Sequence, residues 1–209
     1  MTWLLTATGH SVDLRCIGVD DVRIEDIAHH LAQTNRYTGA CKRPYSVAEH
    51  SLLVAELIER RQAIPSPSVL MAGLMHDAHE AYTQDLSAPM KQVIGAAWQN
   101  EERRIQRAVL KAFGLITPWA AARELIHWAD MTALSTERVA LLPPTGPEWP
   151  CVISFPPVDW VDFDSRAAFT WEDWRQAFLD RFAELQHARE LQVADIPIAP
   201  TSAQPGDPQ

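Results

Sequence analysis

Cysteine is scarce in this 209-residue chain: Cys16, Cys41 and Cys151 stand far apart, too few and too scattered for a disulfide framework or a zinc knuckle. Positive charge is short as well. Eighteen Lys and Arg against 27 Asp and Glu leave a net charge of −9. That balance excludes a nucleic acid polymer as the main partner, because such polymers are held chiefly by Lys and Arg at phosphates. A small phosphorylated ligand needs only a few local cations and stays open. No apolar run approaches the length of a membrane span. The opening MTWLLTATGH has no basic stretch and too short an apolar run for a signal peptide. Together these absences point to a cytoplasmic protein with no membrane partner.

What is present is core material. A hydrophobic fraction of 47% and eight tryptophans argue for a packed globular chain, long enough for one domain with a sizeable core. That domain is expected over residues 1–194. The remainder, 195–209, is low in core formers and is expected to be a disordered tail. The fold class expected is all-α: a single helical bundle with an irregular N-terminal segment and a proline-rich late loop.

The helices follow from apolar spacing and caps. RIEDIAHHLAQTNR places Ile24, Ile27, Ala28 and Leu31 on one face. Ser46 and Glu49 read as a capping box opening a helix whose inner stripe is Val47, Leu53, Val54, Leu57 and Ile58, with His50 on the core side. Ser66 and Pro67 start another, read as continuous from SPSVLMAGL through HDAHEAY. A third runs to the C-terminal glycine Gly114. A fourth begins after Thr117-Pro118 and continues to Leu142, with Asp130 in its inner stripe. The segment PPTGPEWPCVISFPPVDWVDF reads as an irregular connection with one short strand near Cys151 to Phe155. Thr170 caps a last helix with Trp174, Phe178, Phe182 and Leu185 inward.

Helical phase thus sets His50, His76, Asp77 and Asp130 on inward or half-inward positions of three helices. Burying an ionised carboxylate without a partner costs several kcal/mol, on the order of the whole stability margin. No Lys or Arg lies on these inner stripes. One divalent ion bound by two imidazoles and two carboxylates satisfies all four residues, and such a mixed set suits Mn, Co, Zn, Fe or Mg. Singly each signal is weak: His50 alone reads as a core histidine, and Asp130 alone as a cap or a partner of Arg123 or Arg138. The joint order carries the reading.

That order, with the flanks YSVAEHSLLVAELI, LMHDAHEAYTQDLSAPMK and ADMTALSTERVAL, resembles the HD-domain metal-dependent phosphohydrolase superfamily over residues 23–140. Within it, the chain is similar to the branch of bacterial 5'-deoxynucleotidases and phage dATP triphosphohydrolases. The resemblance implies a helical enzyme acting on nucleotides, a small-molecule substrate, with His50, His76, Asp77 and Asp130 as ligands to a single metal. It implies Glu80 and Asp85 as catalytic carboxylates, and Arg36, Tyr37 and Lys91 as substrate contacts. Tyr37 departs from the tryptophan of the deoxynucleotidases, which leaves sugar selectivity open. Lys42 and Arg43 read as a solvated loop. His79 and His127 fall outside the ligand set, with His79 near the pocket or on the surface. Removal of the 5'-phosphate of deoxynucleoside monophosphates is the function expected first. A triphosphohydrolase is the alternative within the family, and a non-catalytic nucleotide-binding module the alternative of another class. Trp149, Trp160 and Trp171 either pack on the core or form a homodimer interface.

Overall fold

In a computed structural model, which describes residues 2–194, the chain is mostly helical. The expected tail 195–209 lies outside the described residues. The irregular N-terminal segment is a small antiparallel hairpin, β1 (Trp3–Leu5) with β2 (Ser11–Asp13), in the register Leu4 opposite Val12. Its loop is tied to the body by Asp26, whose carboxylate accepts from the Thr8 amide at 2.7 Å and the Thr8 hydroxyl at 2.9 Å.

Eleven helices follow among the described residues: α1 (Ile24–Gln33), α2 (Val47–Arg61), α3 (Pro67–Leu74), α4 (Glu80–Thr83), α5 (Ala88–Ile94), α6 (Ala96–Ala112), α7 (Ile116–Ala121), α8 (Arg123–Leu141), α9 (Pro150–Ser154), α10 (Phe163–Arg166) and α11 (Trp171–Ala194). Central in the bundle is α2, packed by α1, α3 and α8, with α11 lying across α1, α2 and α3. Its predicted stripe is buried throughout, and so is His50. The last helix behaves as its sequence indicates. Thr170 and Asp173 cap it reciprocally, and Trp174, Phe178 and Leu185 enter the core.

Five local expectations are corrected. The run from Ser66 to Tyr82 is not one helix: α3 stops at Leu74 and α4 starts at Glu80. Between them the backbone tightens, with amides of His76, Ala78, Glu80, Ala81 and Tyr82 each bonding the carbonyl three residues back. Three residues per turn eclipses positions i and i+3. The fourth predicted helix also breaks, at the buried corner residue Ala122, into α7 and α8. The predicted strand at Cys151 to Phe155 is the short helix α9, begun by Pro150 at a position that needs no amide donor. Finally, the capping box at Ser46 is only half made. Ser46 accepts from the Glu49 amide at 3.1 Å, but the Glu49 carboxylate takes two 2.8 Å bonds from Arg43 instead. Arg43 is therefore a structural ion pair on a fully buried glutamate and not part of a solvated loop; Lys42 is the solvated one.

One glycine sets the approach of α3 to α2. A Cβ at Gly73 would collide with the buried side chain of Ile58, so the two helices approach this closely only without one.

Candidate metal centre

Three elements bring the cluster together: α2 supplies His50, the tight turn after α3 supplies His76 and Asp77, and α8 supplies Asp130. His50 Nε2 stands 3.2 Å from His76 Nε2 and 3.2 Å from Asp130 Oδ1. His76 Nε2 lies 3.8 Å from the same Asp130 oxygen. His50, His76 and Asp130 form a group whose donor atoms all fall within 4.8 Å of one another, which can hold a metal ion. Asp77 joins from one side, its Oδ2 3.0 Å from His76 Nε2 and 3.6 Å from His50 Nε2.

The protonation pattern of the rings decides what this geometry means. His76 Nδ1 lies 2.9 Å from the Gly73 carbonyl, which can only accept, so that nitrogen carries the hydrogen. His50 Nδ1 lies 2.6 Å from Glu137 Oε1. Burial alone would push Glu137 up, but Arg36 and His50 hold it down to about 2, so it too acts as an acceptor. With both Nδ1 atoms committed, two lone pairs would face each other across 3.2 Å, an arrangement that requires a cation or a proton between them. The protein's own charge field agrees. Burial and Arg36 act to lower the His50 pKa, yet Glu137 and Asp130 outweigh them and raise it to about 9. For a metal bonded at about 2.0–2.2 Å, neighbouring N and O donors sit about 3–3.5 Å apart, close to the separations found. The residues present fit a divalent ion.

Glu137 is the residue that sequence reasoning missed. It is fully buried and accepts from Tyr37 Oη, from Tyr45 Oη at 2.9 Å and from His50, with Arg36 Nε 3.3 Å away. A signal was available: Glu137 falls seven residues, two helical turns, after Asp130 on the inner face of α8.

The remaining expected site residues take these places. Arg36 is buried and reaches Asp77 Oδ2 at 3.7 Å; the counter-cation absent from the helix stripes arrives from the loop after α1. Tyr37 is half-buried, its hydroxyl on Glu137 and its ring 6.0 Å from that of Trp149. Its backbone has φ of +57°, and Thr38 follows at +52°, conformations that a tyrosine and a β-branched residue seldom adopt and that concentrate at functional sites. Glu80 is buried, with Oε2 lacking a hydrogen-bond partner among the described residues. Burial, reinforced by Asp77 and Asp85, lifts its pKa well above the carboxylate range. Asp85 is raised by burial, against the pull of Arg36. Lys91 approaches Glu80 Oε1 at 3.8 Å. Asp77, held by His76, stays well below the usual range in spite of burial. His127 is exposed and takes no part, whereas His79 is buried and not on the surface. Asp130 pairs with neither arginine considered for it; Arg138 instead donates to the carbonyls of Pro143 and Thr145. Of the three late tryptophans, Trp160 lies under Arg60 and Trp171 against His29.

No helix among the described residues is long and apolar enough to cross a membrane. No family model matches the chain. Two curated bacterial proteins are similar to it. The uncharacterized protein YfdR of Escherichia coli (strain K12) is 31% identical over 156 residues, 75% of this chain and 82% of the relative. The uncharacterized protein RCAP_rcc00048 of Rhodobacter capsulatus is 37% identical over 144 residues, 66% of this chain and 73% of the relative. On that identity and coverage, the chain belongs to the same family as YfdR.

Proposed function

We propose that the protein is a metal-dependent phosphohydrolase of the HD-domain kind that removes the 5'-phosphate of deoxynucleoside monophosphates. One observation carries the reading: two buried imidazoles with Nδ1 committed elsewhere turn their Nε2 atoms toward each other and toward two carboxylates. His50, His76, Asp77 and Asp130 would hold one divalent ion, of the Mn, Co, Zn, Fe or Mg class. When bound, such an ion polarises a phosphoryl oxygen and acidifies water.

The chain's own residues supply the rest. Glu80 has a free carboxyl oxygen and a raised proton affinity, which suits a group that takes a proton from the attacking water and passes it on. Asp85 shares that charge environment and assists. Arg36 and Lys91 are the cationic donors beside the cluster that would meet a phosphoryl group. Tyr37, pinned by its hydroxyl, offers an aromatic edge for the sugar.

The test is a panel of deoxynucleoside mono- and triphosphates with the metal-loaded protein, following inorganic phosphate and tripolyphosphate separately. Phosphate release from the monophosphates is expected, and Glu80→Ala should reduce it at least about 100-fold. Release of intact tripolyphosphate would replace this reading with the triphosphohydrolase one. Nucleotide binding without turnover in any member of the panel would leave a binding module.

A further inference from the structure

Beside Glu80 lies a second charged group that the ligand set does not use. Glu102, on α6, places Oε1 2.5 Å from Lys91 Nζ and 3.6 Å from His79 Nε2. Lys91 is on α5, and its ammonium stands 3.8 Å from Glu80 Oε1. His79 is buried, and neither of its ring nitrogens has a hydrogen-bond partner among the described residues.

The ammonium therefore has two carboxylates in reach and is bonded to one. At 2.5 Å the contact with Glu102 is a short charge-assisted hydrogen bond, whereas 3.8 Å to Glu80 is beyond hydrogen-bond range. A lysine on a flexible four-carbon stem would, left alone, close on Glu80 and neutralise it. Something must hold it back, and α5 does not do so by packing, since none of its residues is buried. The anchor comes from α6, which is fixed in the core through Ile105, Val109 and Leu110; Ile105 lies one turn beyond Glu102. His79 and Lys91 together keep the Glu102 carboxyl down at about 2, so the anchor stays ionised across the neutral range.

We propose that Glu102 is a positioning residue that holds the Lys91 ammonium beside Glu80 but off it, so that Lys91 is free to receive an oxygen of a bound phosphoryl group. The inference rests on the hydrolase reading for the nature of the bound group. An ammonium has three donors, so Lys91 can bridge Glu102 and a phosphoryl oxygen at once without releasing its anchor.

The experiment measures inorganic phosphate binding to the manganese-loaded protein by calorimetry, in wild type, Glu102→Gln, Lys91→Ala and the double variant. The expected result is about tenfold weaker phosphate binding in Glu102→Gln and no further loss when Glu102→Gln is added to Lys91→Ala. Metal content should be unchanged in all four proteins, and Glu102→Asp should recover part of the affinity. Unaltered phosphate affinity in Glu102→Gln would overturn the proposal. So would an equal loss with and without Lys91, loss of metal together with phosphate, or a wild type that does not bind phosphate. Phosphate binding by a protein that cleaves no phosphate ester would sink the hydrolase reading alone. Ester hydrolysis with an unchanged KM in Glu102→Gln would sink the role of Glu102 alone.

Discussion

His50 turns its Nδ1 to Glu137, 2.6 Å away, and so points Nε2 into the cluster. The carboxylate that orients the ring is itself immobilised by two tyrosine hydroxyls and approached by Arg36. Partners of this kind fix the tautomer and the basicity of a metal-binding histidine, and removing them costs about 10–100-fold in metal affinity. Glu137→Gln is expected to weaken manganese or zinc binding by that factor, measured by competition with a chromophoric chelator. Tyr45→Phe, which removes one of the donors, should weaken it less. Wild-type affinity in Glu137→Gln would remove Glu137 from the site.

Metal removal should cost stability. A ligand that binds only the folded chain stabilises it by about 2.7 kcal/mol at 100 times its Kd. Stripping the protein with chelator is therefore expected to lower the melting temperature by several degrees, with recovery on adding Mn or Zn. His76→Ala should melt at the same temperature with and without metal. An identical response of wild type and His76→Ala would show that the ion acts elsewhere.

Gly73 couples packing to the site. In Gly73→Ala the added methyl presses on the buried Ile58 side chain, and overpacking of this type costs about 1–3 kcal/mol, against roughly 1 kcal/mol gained in helix propensity. The expected net is a loss of about 1 kcal/mol by urea denaturation, relieved by Ile58→Val in the same chain. The Gly73 carbonyl also fixes His76, so metal affinity should fall together with stability. A fully stable Gly73→Ala protein would show that α2 and α3 can separate freely.

The sign of the acid response follows from Glu102. His79 and Lys91 hold its pKa at about 2 in the folded chain, against an ordinary value of 4.5. The unfolded chain therefore takes up the proton at higher pH than the folded one. The stability due to this group is complete above pH 4.5 and drains away as pH falls toward 2. The urea midpoint of the wild type should drop across that window, and Glu102→Gln should flatten the slope there. An unchanged slope would mean that the carboxylate is free in solution.

Cys41 gives an independent check on the site's surroundings. Burial, with the negative charge of Glu137, pushes its thiol up to about 11. A thiol-disulfide reagent at pH 8 is expected to modify the exposed Cys16 first and Cys41 slowly, because only the thiolate attacks. Rapid labelling of Cys41, read by peptide mass spectrometry, would contradict the packing around Glu137.

Elements with long, regular apolar spacing were legible in the sequence. The α2 stripe, the core face of α1, the end of α6 at Gly114 and the capped α11 all lie where periodicity puts them, because each depends on interactions within about four residues. His50 and Asp130 were legible for the same reason: phase along a helix predicts which side chains face inward. His76 also lies inward, but from the tight turn after α3 and not from the continuous helix expected. The break after Leu74 was not. Propensity favours continuing that helix, and the tightening to three residues per turn is fixed by contacts from other elements, including Gln106 of α6 donating to the His76 carbonyl at 3.3 Å. Asp77 and Glu80 share a face through that eclipsed turn and not through the continuous helix expected.

The sequence by itself determined the all-helical class, the inward histidines and aspartates, and the need for positive charge among them, since local spacing and the cost of buried charge require no partner to be known. Only the tertiary structure decided where the charges go. It folds Arg36 from a loop onto Asp77 and Glu137, takes Glu49 from its cap to Arg43, and binds Lys91 to Glu102 beside Glu80. These pairings join residues on separate elements or loops, and Coulomb interactions depend on distance in space, which spacing along the chain does not encode.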